Sequence, residues 1–222
     1  MVEVYVIAEG QTEERFIKDL VAPAFRSSNV FIKPIVMNTS ATSKGGAITV
    51  DRLKFNLRNS FRQHPNAFFT TFLDLYGLDS DFPSYIESRQ LSVYDRVNAL
   101  ENALNSFIVN ACECRQERFF SYIQPHEFEG LLFSDVNMLV SQEESWSRYS
   151  EKLVQVRNSV ETPEHINDGY ETKPSKRLEK ILREPKYHKT RHGALIAKKI
   201  TLDTIQEECP HFRGWITKLR SL

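Results

Sequence analysis

Four carboxylates in this 222-residue chain stand just beyond apolar runs: Glu9 after residues 2–8, Asp74 after residues 67–73, and Glu127 and Glu129 after residues 119–123. Each run is rich in β-branched and aromatic residues and reads as a buried strand. In an open parallel sheet, ligands bind beyond the C-terminal ends of the strands, so these acids would meet at one end of the sheet. Carboxylates gathered there repel one another, and a divalent cation relieves the repulsion. An all-oxygen ligand set suits Mg²⁺ or Mn²⁺. Taken singly, Glu9 also suits a turn, Asp74 a loop cap, and Glu127 and Glu129 the first turn of a helix. On a helix Glu127 and Glu129 would lie about 200° apart, so one of the two is expected to serve the site while the other caps or pairs. His126 and Glu129 would share a face.

The charge is unevenly distributed. The whole chain balances 29 Lys and Arg against 29 Asp and Glu, but residues 173–199 hold ten of the cations and only two acids, Glu179 and Glu184. That segment is +8 and the remainder −8. An acidic body and a basic segment suit metal ions and phosphates respectively, although such a run also suits a solvated face. Within it, Pro174-Ser175-Lys176-Arg177-Leu178 places a hydroxyl and two cations after a turn. If Ser175 caps a helix, the helix N-terminus offers backbone donors to a phosphate, with Lys176 and Arg177 adding charge. Tyr187-His188-Lys189-Thr190-Arg191-His192-Gly193 adds further cations and two His, among which Lys189 and His192 are expected on the substrate phosphate.

The elements that must position these groups follow from periodicity. Val2–Ala8 reads as a strand, Glu9-Gly10-Gln11 as a turn, and Thr12 as the cap of a helix with Glu13 and Glu14 in its first turn. Residues 30–37 read as a second strand, nearer an edge because of Pro34, followed by a Ser/Thr/Gly loop over 38–46 and a helix over 51–62. The third strand ends at Asp74. Ser92 starts a long helix with Val93, Val97, Leu100, Leu104, Ile108 and Ala111 on one stripe. Residues 119–123 read as a fourth strand, and Pro125 suits the first turn of a helix carrying His126 to Phe133. Strand and helix alternate, which predicts an α/β fold, a mostly parallel sheet flanked by helices. From about residue 141 the pattern is helical, polar and basic. Residues 1–140 are thus expected to form the core, and residues 141–222 a helical extension packed on it as one unit.

Composition excludes several classes. With 41% hydrophobic and 26% charged residues the chain has the makings of an ordinary core. No apolar run approaches ~18 residues, and Met1-Val2-Glu3-Val4 lacks a basic stretch followed by an apolar one, so no membrane contact and a cytoplasmic location are expected. Three Cys without paired spacing argue against a disulfide framework or a zinc ribbon. There is no P-loop, no Gly-x-Gly-x-x-Gly and no Gly-x-Ser-x-Gly elbow.

The strand-Glu9-Gly10-x-Thr12-Glu13 opening resembles the TOPRIM fold of topoisomerases, primases and OLD-family nucleases, in which a Glu ends the first strand and Asp-x-Asp the third. The whole chain is similar, more specifically, to a bacterial domain-of-unknown-function family, number 4276. The segments carrying this likeness are Ala8-Glu9-Gly10-Gln11-Thr12-Glu13-Glu14, Leu73-Asp74-Leu75-Tyr76-Gly77-Leu78, His126-Glu127-Phe128-Glu129-Gly130-Leu131-Leu132-Phe133, Pro163-Glu164-His165-Ile166-Asn167, Pro174-Ser175-Lys176-Arg177-Leu178, Tyr187-His188-Lys189, His192-Gly193 and Cys209-Pro210-His211-Phe212. Members of that family are commonly encoded beside an ABC-type ATPase, an arrangement resembling OLD-like phage-defence pairs. The chain departs from the TOPRIM pattern at Tyr76, which stands where the second Asp would, with Asp79 and Asp81 following.

The resemblance implies a divalent-metal-dependent nuclease acting on DNA or RNA. Glu9 and Asp74 would hold Mg²⁺ or Mn²⁺, with Glu127 or Glu129 completing the set and Gly10, Thr12, Glu13, Tyr76 and His126 in support. Ser175, Lys176, Arg177, Lys189 and His192 would hold the substrate, with Lys176 stabilising charge in the transition state. Glu9 would alternatively act as a general base; the alternatives to the nuclease are a non-catalytic module that binds nucleic acid or the ATPase, with Tyr76 as the sign of lost chemistry, and a small-molecule phosphatase or phosphotransferase using the same metal site. His211 is expected to be a packed structural residue.

Overall fold

A computed structural model of the chain describes residues 1–37, 47–167 and 169–222; the loop expected over 38–46 lies outside the described residues. In chain order the regular elements are β1 (Val2–Ala8), α1 (Gln11–Phe16), β2 (Val30–Val36), α2 (Val50–Gln63), β3 (Phe68–Asp74), α3 (Val93–Cys112), β4 (Phe119–Phe120), β5 (Ile123–Gln124), α4 (Val136–Val140), α5 (Ser150–Asn158), α6 (Pro174–Ile181), α7 (Lys189–Ile200), α8 (Leu202–Glu208) and α9 (Pro210–Arg220). Short 3₁₀ turns connect many of them.

The strands pair in parallel in the order β2-β1-β3-β4, with β5 also on β3. Alternation along each strand splits its side chains between two cores. Val4, Val6, Ala8 and Phe72 join Phe16 and Ile17 and, from the C-terminal helices, Ile196, Phe212 and Trp215. Tyr5, Ile7, Phe69 and Leu73 join Leu53 and Leu57 of α2 and Val97, Leu100, Leu104 and Ile108 of α3. A parallel sheet covered on both faces needs near-continuous apolar strands, and β1 and β3 supply them. Residues beyond 141 therefore share a core with β1, and Trp215 Nε1 donates to Thr70 Oγ1 of the central strand β3 at 3.0 Å.

Pro34 is on the edge strand, as its chemistry requires. Met37 N donates to Ala8 O, so odd-numbered residues of β2 face β1 and the Pro34 nitrogen, which has no hydrogen, faces outwards. Ser92 caps α3 by accepting from Asp95 N. Among the described residues no helix is long and apolar enough to cross a membrane.

Three local expectations are corrected. The fourth strand is broken in two, because the Thr71 hydroxyl takes the place of a ladder partner: Tyr122 N donates to Thr71 Oγ1 and Thr71 Oγ1 donates to Tyr122 O, both at 2.8 Å. The helix expected from Pro125 starts later and is tighter, a 3₁₀ segment over Phe128–Ser134. His126 is left-handed (φ 59°) and Glu127 extended, so the 200° helical argument does not apply to Glu127 and Glu129. Thr12 lies inside α1 instead of capping it; Gly10 is the capping residue and offers no side chain.

Candidate active site

The strand order creates one crevice that the chain cannot fill with its own connections. From β1 the chain moves to β2 on one side, and from β3 to β4 and β5 on the other, so the C-terminal ends of β1 and β3 lie side by side at a switch point. Glu9 follows the last residue of β1, and Asp74 is the last residue of β3. Both line a cleft of about 390 Å³. Tyr76, Gly77 and Glu127 form its wall on one side, and Lys173 and Lys189 bring cations from the C-terminal half.

Lys189, the first residue of α7, is the centre of a cluster of buried carboxylates. Its Nζ lies 2.9 Å from Glu13 Oε1, 3.2 Å from Asp74 Oδ2 and 3.4 Å from Glu129 Oε2. Burial pulls its pKa down, but the carboxylates of Asp74, Glu129 and Glu13 outweigh that and hold it well above the usual lysine value. Burial is the leading influence on the acids, and it raises Glu9, drives Asp74 well above the ordinary carboxylate range and pushes Glu129 up to about 7. Lys189 opposes the rise in each. Asp74 is fixed from its other oxygen, where Phe128 N donates to Oδ1 at 2.7 Å.

Glu127 forms a second ion pair in the cleft lining. Lys173 Nζ is 2.7 Å from its Oε1, and Ser175 N donates to its Oε2 at 2.9 Å. Burial pushes the Glu127 carboxyl up, but the bonds from Lys173 and Ser175 prevail and hold it below the ordinary value. Ser175 does not cap α6; Lys173 occupies the cap position and Pro174 the first turn. The backbone donor expected to face a phosphate is thus already bound to a carboxylate.

Glu9 is held by sterics. A Cβ on Gly77 would lie 2.5 Å from Glu9 Oε2, so only glycine leaves room for the carboxylate there. Among the described residues Glu9 Oε2 is buried and has no hydrogen-bond partner, the same is true of Glu129 Oε1 and the Tyr187 hydroxyl, and Glu129 Oε2 has only the Lys189 ion pair. Orphaned buried oxygens are uncommon in native proteins and call for a physical explanation.

The remaining expected residues divide. Gly10 supports Glu13, whose Oε2 would be 3.3 Å from a Cβ at that position. The Tyr76 hydroxyl donates to Asn167 Oδ1 at 2.7 Å, and His126 packs on the Tyr76 ring. Burial, followed by Arg96, lowers His126 to about 4, which keeps it neutral. Lys176 pairs with Glu179, and Arg177 bonds Thr172 O; neither lines the cleft. His192 is fully buried beside Trp146, and its Nδ1 accepts from His188 N. His211 is packed as expected, stacked on Tyr122 with Nε2 at 2.9 Å from Glu101 Oε1. Sequence reasoning missed Lys173 and Gly77 as site residues. Lys173 was visible only as one charge before a Pro turn, and Gly77 only as part of the segment after Asp74.

The donor set decides what the cleft can hold. Among the described residues, no group of three or more His, Cys, Asp and Glu side chains is arranged to hold a metal ion. Mg²⁺ does not require one, since it keeps several waters and commonly takes one or two carboxylates together with substrate phosphates. Glu9 and Asp74, all-oxygen and facing one cleft, fit that demand.

Residues 8–220 match the model of a family described as Domain of unknown function (DUF4276). A search of the curated proteins and a search of the solved structures each gave no match.

Proposed function

The chain belongs to the DUF4276 family, and on the site just described we propose that it is a Mg²⁺- or Mn²⁺-dependent phosphodiesterase that hydrolyses nucleic acid, DNA or RNA. The observation carrying this reading is the buried carboxylate oxygen of Glu9, without a hydrogen-bond partner among the described residues, on the same cleft as Asp74 and two lysines. Glu9 and Asp74 would hold the cation, which when bound supplies Lewis-acid polarisation of the phosphoryl oxygen and an activated water. Lys173, in the cleft lining, offsets negative charge as it builds on the phosphate. Glu127 keeps the Lys173 ammonium in place and ties the start of α6 to the site. Glu13 and Glu129 fix Lys189 behind Asp74. The likeness to ATPase-linked defence pairs supports an ABC-type ATPase as the partner that controls cleavage.

The test is isothermal titration of Mn²⁺ into wild type, Glu9→Gln and Asp74→Asn, followed by cleavage of single- and double-stranded DNA and RNA with and without EDTA. Metal-dependent cleavage that survives both substitutions would sink the ligand assignment. A second reading, a non-catalytic nucleic-acid or ATPase-binding module, is favoured by Tyr76 and its bond to Asn167 where an acid would complete the pattern. It predicts salt-dependent binding that EDTA leaves unchanged.

A further inference from the structure

We infer that Lys189 is a built-in counter-cation that limits the site to a single dication, occupying the position a second metal ion would otherwise take. This rests on the phosphodiesterase reading and deepens it. Five carboxylates approach the cleft, and Lys173 already engages Glu127. The Lys189 ammonium sits within 3.4 Å of oxygens of Glu13, Asp74 and Glu129, the spacing of an ammonium among carboxylates, and a metal ion there would draw the same oxygens in to about 2.0–2.1 Å. Glu9 lies outside this trio, and among the described residues its Oε2 has no hydrogen-bond partner. The cluster therefore has an inner half filled by an ammonium and an outer half, Glu9 with Asp74, left for one dication. Hydrolases with two metals hold them about 3.5–4 Å apart, bridged by shared carboxylates. Asp74 is placed to be such a bridge, but its Oδ2 meets a lysine, and its Oδ1, which accepts from Phe128 N, keeps one lone pair for a cation.

The ammonium is held there by packing. Gly193, one turn further along α7 and on the same face as Lys189, lies so near α1 that a Cβ on it would be 2.9 Å from the Thr12 methyl and 3.1 Å from the Phe128 ring. This contact presses α7 against α1 and carries Lys189 to Glu13. The second unexplained observation is in the same place. Glu129 is fully buried, and among the described residues its Oε1 has no hydrogen-bond partner and its Oε2 meets only the long contact to Lys189. Its capacity to bind a cation is not fully used by one ammonium.

The experiment is calorimetric titration of Mn²⁺ into the full chain as wild type, Lys189→Met, Lys189→Arg and Lys189→Met/Glu129→Gln, with melting curves in EDTA and in Mn²⁺. Wild type and Lys189→Arg should take one Mn²⁺. Lys189→Met should take two, with the first bound about tenfold or more tightly, because a like charge beside it is gone. The double variant, with its net charge restored, should return to one. A Lys189→Met chain that is unfolded in EDTA and folds on adding Mn²⁺ supports the inference, and one that stays unfolded in Mn²⁺ overturns it. Two ions in wild type, or one in both wild type and Lys189→Met at equal affinity, also overturn it. Wild type that binds no Mn²⁺ removes the phosphodiesterase reading and this inference with it.

Discussion

Gly77 and Glu9 are in direct steric contact across the switch point: the space a Cβ would need at residue 77 is the space the Glu9 carboxylate fills. Gly77→Ala should therefore act on Glu9 and leave the fold nearly intact, since the atom displaced is the far end of a side chain. The expected result is a loss of Mn²⁺ affinity of about tenfold with stability changed by no more than about 1 kcal/mol. Calorimetry and urea denaturation of the same preparation check both halves.

Glu129 gives the apo protein a pH dependence of definite sign. Its folded pKa of about 7 lies above its ordinary value of 4.5. Between those values the folded state holds a proton that the unfolded state has released. Stability is thus highest on the acid side and is lost as the pH rises through this window, by up to about 3 kcal/mol. In EDTA, wild type should lose stability between pH 5 and pH 7.5 relative to Glu129→Gln. Parallel denaturation profiles for the two proteins would contradict the prediction.

Lys173 and Lys176 are three residues apart in sequence but differ in role. Lys173 lines the cleft, whereas Lys176 pairs with Glu179 outside it. Lys173→Met should weaken nucleic-acid binding and reduce the slope of log affinity against log salt by about 1. Lys176→Ala should leave affinity within about twofold. A filter-binding series across salt separates them, and equal effects would contradict the placement.

Glu164 is a buried carboxylate with a structural task. It accepts from His211 N and Phe212 N at the start of α9 and from the Tyr94 hydroxyl of α3, each at 3.0 Å. Glu164→Ala strands three donors and should cost about 3 kcal/mol. Tyr94→Phe removes one donor from an otherwise satisfied network and should cost about 1 kcal/mol. Chemical denaturation in EDTA reads both, and metal binding should be unaffected in Tyr94→Phe.

The parallel sheet was legible because β1 and β3 are continuous apolar runs that alternate with amphipathic helices, and Pro34 marked the edge. Glu9 and Asp74 were legible for the same reason, since a strand's end is visible where its apolar run stops. The environment of Glu127 was not. Whether residues 125–133 form an α-helix or a 3₁₀ turn depends on Phe128 N finding Asp74, a contact 54 residues away that no local propensity encodes. The basic segment showed its charge but not its orientation. Proximity to Pro174 suggested Lys176 and Arg177, whereas the chain direction at the start of α6 turns Lys173 into the cleft. Lys189 was placed on a phosphate because isolated cations in a basic run suggest one, and its three carboxylate partners come from three separate elements.

The Trp215–Thr70 bond and the Lys189 pairings have a consequence for the order in which the molecule can be made. Synthesis runs from the N-terminus, at roughly 5–20 residues per second. Glu9, Glu13, Asp74, Glu127 and Glu129 all emerge before Lys173, Lys189 or the helix that covers one face of β3. Until then the strand ends carry mutually repelling acids without the ammonium groups of Lys173 and Lys189, above an apolar sheet face still open to water. The closing of these contacts is therefore a late event spanning most of the chain. A growing polypeptide can complete its cleft only when its C-terminal third has joined the fold.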